Sequence, residues 1–292
     1  MLYTIRNEQL SVCVREKGAE LQSILGSDGT QYLWQGDPKY WPDRALNIFP
    51  YVARLTDGCY ELDGQRYSMD IHGLAPYLPF VLTEKTDTAM VLELSSSEAT
   101  RRAYPRDFTF SIRYALRENT LEITYQVGNR DEKTMYFGLG GHPGFNVPLA
   151  PGKRFEDYRL RFGRECAPRR VGFTEQCFLD GTESLFPLEE NRILPLTHDL
   201  FDQDAIVLKD MDRQVTLEAE EGPKITVTFP QMSYLGIWHW PRTDAPYVCL
   251  EPWSSLPSQQ DKIAVFEKQQ DLISLAPGET YQNRWSICVQ QG

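Results

Sequence analysis

The chain has 292 residues, 41% of them hydrophobic and 12% aromatic, a composition that belongs to a globular protein with a sizeable core. Its 41 acidic residues against 30 Lys and Arg give a net charge of −11, which argues against nucleic acid or an anionic membrane as partner. The segment Met1–Leu10 lacks the basic-then-apolar order of a secretory signal, and no apolar run reaches the roughly 18 residues of a bilayer span.

In chain order the pattern is that of strands. Val12 and Val14 alternate with polar neighbours, and Met90–Leu94 reads as a further strand. Phe108, Phe110, Ile112, Tyr114 and Leu116 form a long period-2 run; Leu121, Ile123, Tyr125 and Val127 form another after the polar turn Arg117–Thr120. Two such runs around a turn predict an antiparallel hairpin with one buried face. Leu196–Phe201 offers a short helical spacing. Val215, Leu217 and Ala219, the turn Glu220–Pro223, and Ile225, Val227 and Phe229 predict a second hairpin. Lys262–Gln269 is the other short helical candidate, and Trp285, Ile287 and Val289 predict a closing strand. Nineteen prolines and 20 glycines punctuate these runs, and no repeat, low-complexity tract or linker divides them. The expectation is one all-β domain over residues 1–292, a sandwich with long loops. Six scattered cysteines without a CxxC or a Cys/His cluster point to reduced thiols in a cytoplasmic protein that needs neither metal nor cofactor.

Four segments depart from this background. Asn47–Gly58 sets Arg54 between a proline-containing stretch and the turn Asp57-Gly58, and Ile71–Ala75 sets His72 before a glycine. Gly138–Asn146 holds His142 among Gly138, Gly140, Gly141 and Gly144, where missing side chains let a ligand or another backbone come close. Tyr247–Ser254 carries Glu251 at the end of an apolar run, a poor setting for a solvated carboxylate. An imidazole and a carboxylate in one pocket are the minimum for moving protons on a polar small molecule. Plainer readings stand beside these: Arg54 as a surface cation, His72 as a turn residue, and His239, between Trp238 and Trp240, as a structural residue. His198 has a weak setting, and Arg101, Arg102 and Arg106 read as a solvated loop in preference to an anion site. Spacing alone does not bring Arg54, His72, His142 and Glu251 together.

The ordered set Phe49-Pro-Tyr-Val-Ala-Arg54 with Asp57-Gly58, Tyr67 with His72-Gly73, Gly140-Gly-His-Pro-Gly-Phe145 and Cys249-Leu-Glu-Pro-Trp253 resembles the aldose 1-epimerase (galactose mutarotase-like) family. The likeness is nearest to its divergent bacterial branch and runs from about residue 10 to residue 288. It implies a large antiparallel β-supersandwich with few short helices, and an isomerase that interconverts the anomers of a sugar. It implies Glu251 as the base at the C1 hydroxyl and His142 as the acid at the ring oxygen. Arg54 and His72 would bind the ring oxygen and neighbouring hydroxyls, and Asp204, with Asp199 and Asp202 nearby, would be a substrate-binding aspartate. A carboxylate beside an imidazolium is the expected charge state. The implied partner is a small-molecule sugar, with no metal, on a monomer or homodimer. Trp34, Trp238, Trp240 and Trp253 serve either as stacking surfaces or as core. Val52-Ala53 before Arg54 departs from the family pattern and leaves open which sugar binds and whether it is phosphorylated. A sugar-binding or sensing protein without turnover is the alternative, and a glycoside hydrolase pairing Asp204 with Glu251 is a third reading.

Overall fold

The computed structural model describes residues 1–292. The first predicted hairpin forms as Phe108–Arg117 and Thr120–Asn129, with Leu116 opposite Leu121 and burial alternating along both strands. The second forms as Gln214–Ala219 and Lys224–Thr228, and the closing strand is Thr280–Gln290. That last strand lies between the two hairpins, pairing with Thr120–Asn129 on one side and Lys224–Thr228 on the other. These five strands are the middle of a nine-stranded sheet, antiparallel throughout.

A second, seven-stranded antiparallel sheet runs in the order 179–185, 169–173, 206–209, 234–238, 247–253, 140–146, 45–48. Its contact with the large sheet is explicit at Asn47, whose amide donates to the carbonyls of Gly18 and Ala19 and accepts from the Tyr125 hydroxyl. Tyr125 and Trp285 of the large sheet press on Gly141 from the same side. One cluster of buried apolar residues extends from Ile5 to Val289, joining the first strands to the last. The expected all-β supersandwich is therefore present, and no helix is long and apolar enough to cross a membrane.

Both helical candidates need correction. Leu196–Phe201 yields only the 3-10 turn His198–Phe201, and Lys262–Gln269 yields the two-residue strand Ala264–Val265 and the 3-10 turn Phe266–Lys268. Neither has the length to offset helix nucleation. Phe266 anchors its segment as a single plug, stacked on Tyr60 with ring centroids 3.9 Å apart. The α-helix that does form, Glu98–Ala103, covers the segment read as a loop. Ser97 and Thr100 cap it reciprocally, threonine taking the place of the Glu or Gln that marks such a box in sequence. Its arginines are spoken for: Arg101 binds Asp107, Arg102 binds Glu98, and buried Arg106 bonds the Thr134 carbonyl and Asp63. All six cysteines are free.

The predicted polar face of the strand Gln214–Ala219 hides a charge cluster. Buried Glu218 accepts from Arg159 and Arg161 at 2.8–3.2 Å, with Lys224 at 3.4 Å. Hydrogen bonding to Arg161, ahead of the opposing effect of burial, pulls its carboxyl down to about 2. A carboxyl held below its unfolded value of 4.5 stabilises the fold above that pH, and the gain disappears as the pH falls through about 2. Glu218→Gln is expected to lower stability at neutral pH by about 2 kcal/mol. It should also flatten the acid limb of urea midpoints measured across this window; an unchanged limb would contradict the assignment.

Candidate active site

In the seven-stranded sheet Gly140 pairs with Trp253 and Gly144 with Cys249, a register that sets His142 directly across from Glu251. Leu46 flanks His142 on one side, Gly236 flanks Glu251 on the other, and Val207 follows Gly236. Side chains opposite one another in register leave the same face of a sheet. Because neighbouring Asn47 and Gly141 face the large sheet, this row points away from the sandwich core.

The glycines around His142 have a different use from the expected one. A Cβ on Gly140 would lie 2.8 Å from the Trp253 ring, and one on Gly144 3.1 Å from both Trp34 and Trp41. One on Gly141 would lie 2.6 Å from Trp285. They admit packed indoles rather than a ligand. The result for His142 is an aromatic clamp: Trp41 stacks on it at 4.8 Å, and Trp238 and His72 meet it edge-on at 5.7 and 5.3 Å.

The row forms the floor of a cavity of about 420 Å³, within the size range of small-molecule sites. Loops bring Arg54, His72 and Asp204 to its lining, so all five residues singled out in the sequence converge. Asp199 and Asp202 lie outside. Trp238, Trp240 and Trp253 line the cavity, whereas Trp34 does not; its indole N–H donates to the Trp41 carbonyl. His239 is buried beneath, bonded to His198 and to the Trp240 carbonyl, in keeping with its structural reading. Trp41, Gln203 and Cys177 also line the cavity and carried no local signal in the sequence.

Glu251 and His142 are 2% and 8% exposed, and Glu251 Oε2 lies 3.2 Å from His142 Nε2. The contact is too poorly aligned to count as a hydrogen bond, so Oε2 is a buried acceptor without a partner. Burial, then the Asp204 charge, pushes the Glu251 carboxyl well above its ordinary range; the Trp253 indole N–H opposes this. Burial, then His72, pushes the His142 imidazolium well below its own. The expected carboxylate–imidazolium pair is thus corrected: the low polarity of the site favours the neutral partners.

The outer groups are firmly held. His72, at φ 64°, accepts the Ala53 N–H at Nδ1 over 3.3 Å and is depressed to about 4 by burial and by Arg54. It is therefore neutral, with its proton on Nε2. Asp204, at φ 71°, accepts the Ala205 N–H on one oxygen and the Cys177 thiol on the other at 2.8 Å.

Residues 1–288 match the family described as Aldose 1-epimerase. The chain belongs to the aldose 1-epimerase family. Protein LacX of Lactococcus lactis subsp. lactis is 30% identical over 99% of both chains. The galactose mutarotase related enzyme of Lactobacillus acidophilus superposes with a TM-score of 0.94 at 31% identity, covering 100% of this chain and 98% of that one. A galactose mutarotase-like protein of Lactobacillus casei gives 0.94 at 30% identity, over 99% and 100%. Membership in the aldose 1-epimerase family supports a sugar-directed isomerase.

By NMR titration His72 is expected to keep its neutral shifts from pH 8 down to about 5, and Arg54→Met to raise its midpoint from about 4. A midpoint near the ordinary 6.5 would contradict the burial of this ring.

Proposed function

We propose that this aldose 1-epimerase family member interconverts the α and β anomers of an uncharged aldose, with Glu251 as base and His142 as acid. The observation that carries the reading is the cross-strand approach of Glu251 Oε2 to His142 Nε2, 3.2 Å apart on the floor of the cavity. O1 and the ring oxygen of a cyclic aldose are both bonded to C1, so two groups this close reach both atoms of one anomeric centre. The lining also favours a neutral sugar: Arg54 is its single permanent cation, against Asp43 and Asp204 besides Glu251.

Ring opening breaks the bond from C1 to the ring oxygen. The O1 proton passes to Glu251 as the carbonyl forms, and the His142 Nε2 proton passes to the ring oxygen. Rotation about C1–C2 and reversal of both transfers give the other anomer. The pair holds one proton before and after opening, so no net charge enters a site where burial penalises charge. The charged tautomer needed for opening is one proton shift from the neutral tautomer that burial favours. His72 donates from Nε2 to a sugar oxygen, Arg54 donates beside it, and Asp204 accepts from a hydroxyl.

Glu251→Gln and His142→Asn are each expected to slow anomer exchange by about 10²–10⁴-fold, since each removes one acid–base group. The measurement is proton NMR of a freshly dissolved pure anomer, with circular dichroism to establish folding. Unimpaired exchange in either variant would overturn the assignment, and saturable binding without faster exchange in the parent protein would favour a sensor. The acid limb of the rate should lie well below pH 6.5, following the depressed imidazole; a limb at the ordinary histidine value would count against it.

A further inference from the structure

We propose that a thiophilic divalent cation of the zinc class binds and inhibits here, held by His142 and Glu251 of the pocket floor and by Cys249, which is buried beside them outside the cavity lining. Cys249 and Glu251 are two apart on one strand and share its face, and His142 stands across from Glu251. Their ligand atoms all lie within 4.8 Å of one another. Zinc bonds of about 2.0–2.3 Å in tetrahedral geometry separate neighbouring ligands by about 3.4 Å. The 3.2 Å between Nε2 and Oε2 is already of this size, so seating the ion requires mainly a small movement of the Cys249 thiol.

Glu251 Oε2 supplies the independent observation. It is a buried oxygen with no hydrogen-bond partner, 3.2 Å from the His142 Nε2, which leaves it in need of a proton or a cation. Charge balance selects the ion's valence. A dication with one thiolate, one carboxylate and a neutral imidazole sums to zero, the arrangement a buried site tolerates best. On binding, the thiol and carboxyl protons leave to solvent, and the Nε2 lone pair becomes a metal ligand. Three protein ligands leave a fourth position open toward the cavity, for water or a sugar hydroxyl.

The consequence for activity rests on the epimerase reading, because the ion occupies both proposed acid–base groups; the site itself does not. The decisive experiment adds Co²⁺, a spectroscopic substitute for zinc, to the full chain. A thiolate-to-cobalt charge-transfer band that Zn²⁺ bleaches is expected in the parent protein and absent in Cys249→Ser and Cys249→Ala. Zn²⁺ is expected to inhibit anomer exchange, with an inhibition constant at least about tenfold weaker in both variants, the scale on which lost site contacts weaken metal binding. No such band in the parent protein would overturn the proposal, whatever the variants do. Equal inhibition of parent and variants would overturn it too. Absence of exchange in metal-free parent protein would refute the epimerase reading, and the cobalt spectrum would still decide the site.

Discussion

The site depends on one constraint, the register between the strands Gly140–Asn146 and Tyr247–Trp253. Because Gly140 meets Trp253 and Gly144 meets Cys249, His142 and Glu251 have no choice but to face each other. A slip of one residue would turn the histidine and its neighbours to the opposite face, into the ground now held by Tyr125 and Trp285. Register is held from both directions: Asn47 and Gly141 lock the inner face to the large sheet, and Trp41, Trp238 and Trp253 fill the outer one. A rigid sheet therefore carries the central pair, and loops carry the rest.

Burial then sets the chemistry. A carboxyl and an imidazole brought together in water would settle as an ion pair, but here both are driven toward neutrality. Burial thus favours the neutral tautomer of the pair, and the charged tautomer that the proposed ring opening uses is one proton shift away. The loop residues extend this logic. His72 and Asp204 both sit at positive φ, a conformation costly for residues with side chains, and both are tied by backbone hydrogen bonds. Ala53 and Cys177, which hold His72 and Asp204 by hydrogen bonds, share the positive φ, so the loop side of the pocket is fixed by backbone geometry as well as by contacts.

Much of this was legible in the sequence, and the reasons differ by element. The strands of the large sheet were readable because one face is packed and the other is not, as in Phe108–Arg117, so burial leaves a period of two. The strand Tyr247–Trp253 is buried at every position, and its alternation is invisible; Glu251 was found there because a carboxylate is foreign to such a run. His142 was found through its glycines, although their purpose is to admit tryptophans. Arg54 and His72 were marked by their unusual segments and Asp204 by family resemblance alone; that they meet was not legible, since loops 54, 72 and 204 are joined only by tertiary structure. Trp41 and Cys177 were missed for the same reason: an aromatic after Tyr40 and a lone cysteine carry no spacing that announces a pocket wall. The helix Glu98–Ala103 was missed because its cap uses an unusual partner.

The most direct measurement is a crystal structure of the full chain with a slowly exchanging aldose bound. The anomeric hydroxyl is expected within about 3 Å of Glu251 and the ring oxygen within about 3 Å of His142 Nε2, the reach of proton transfer. A sugar bound in the cavity with its anomeric carbon turned away from both residues would contradict the central role of the pair.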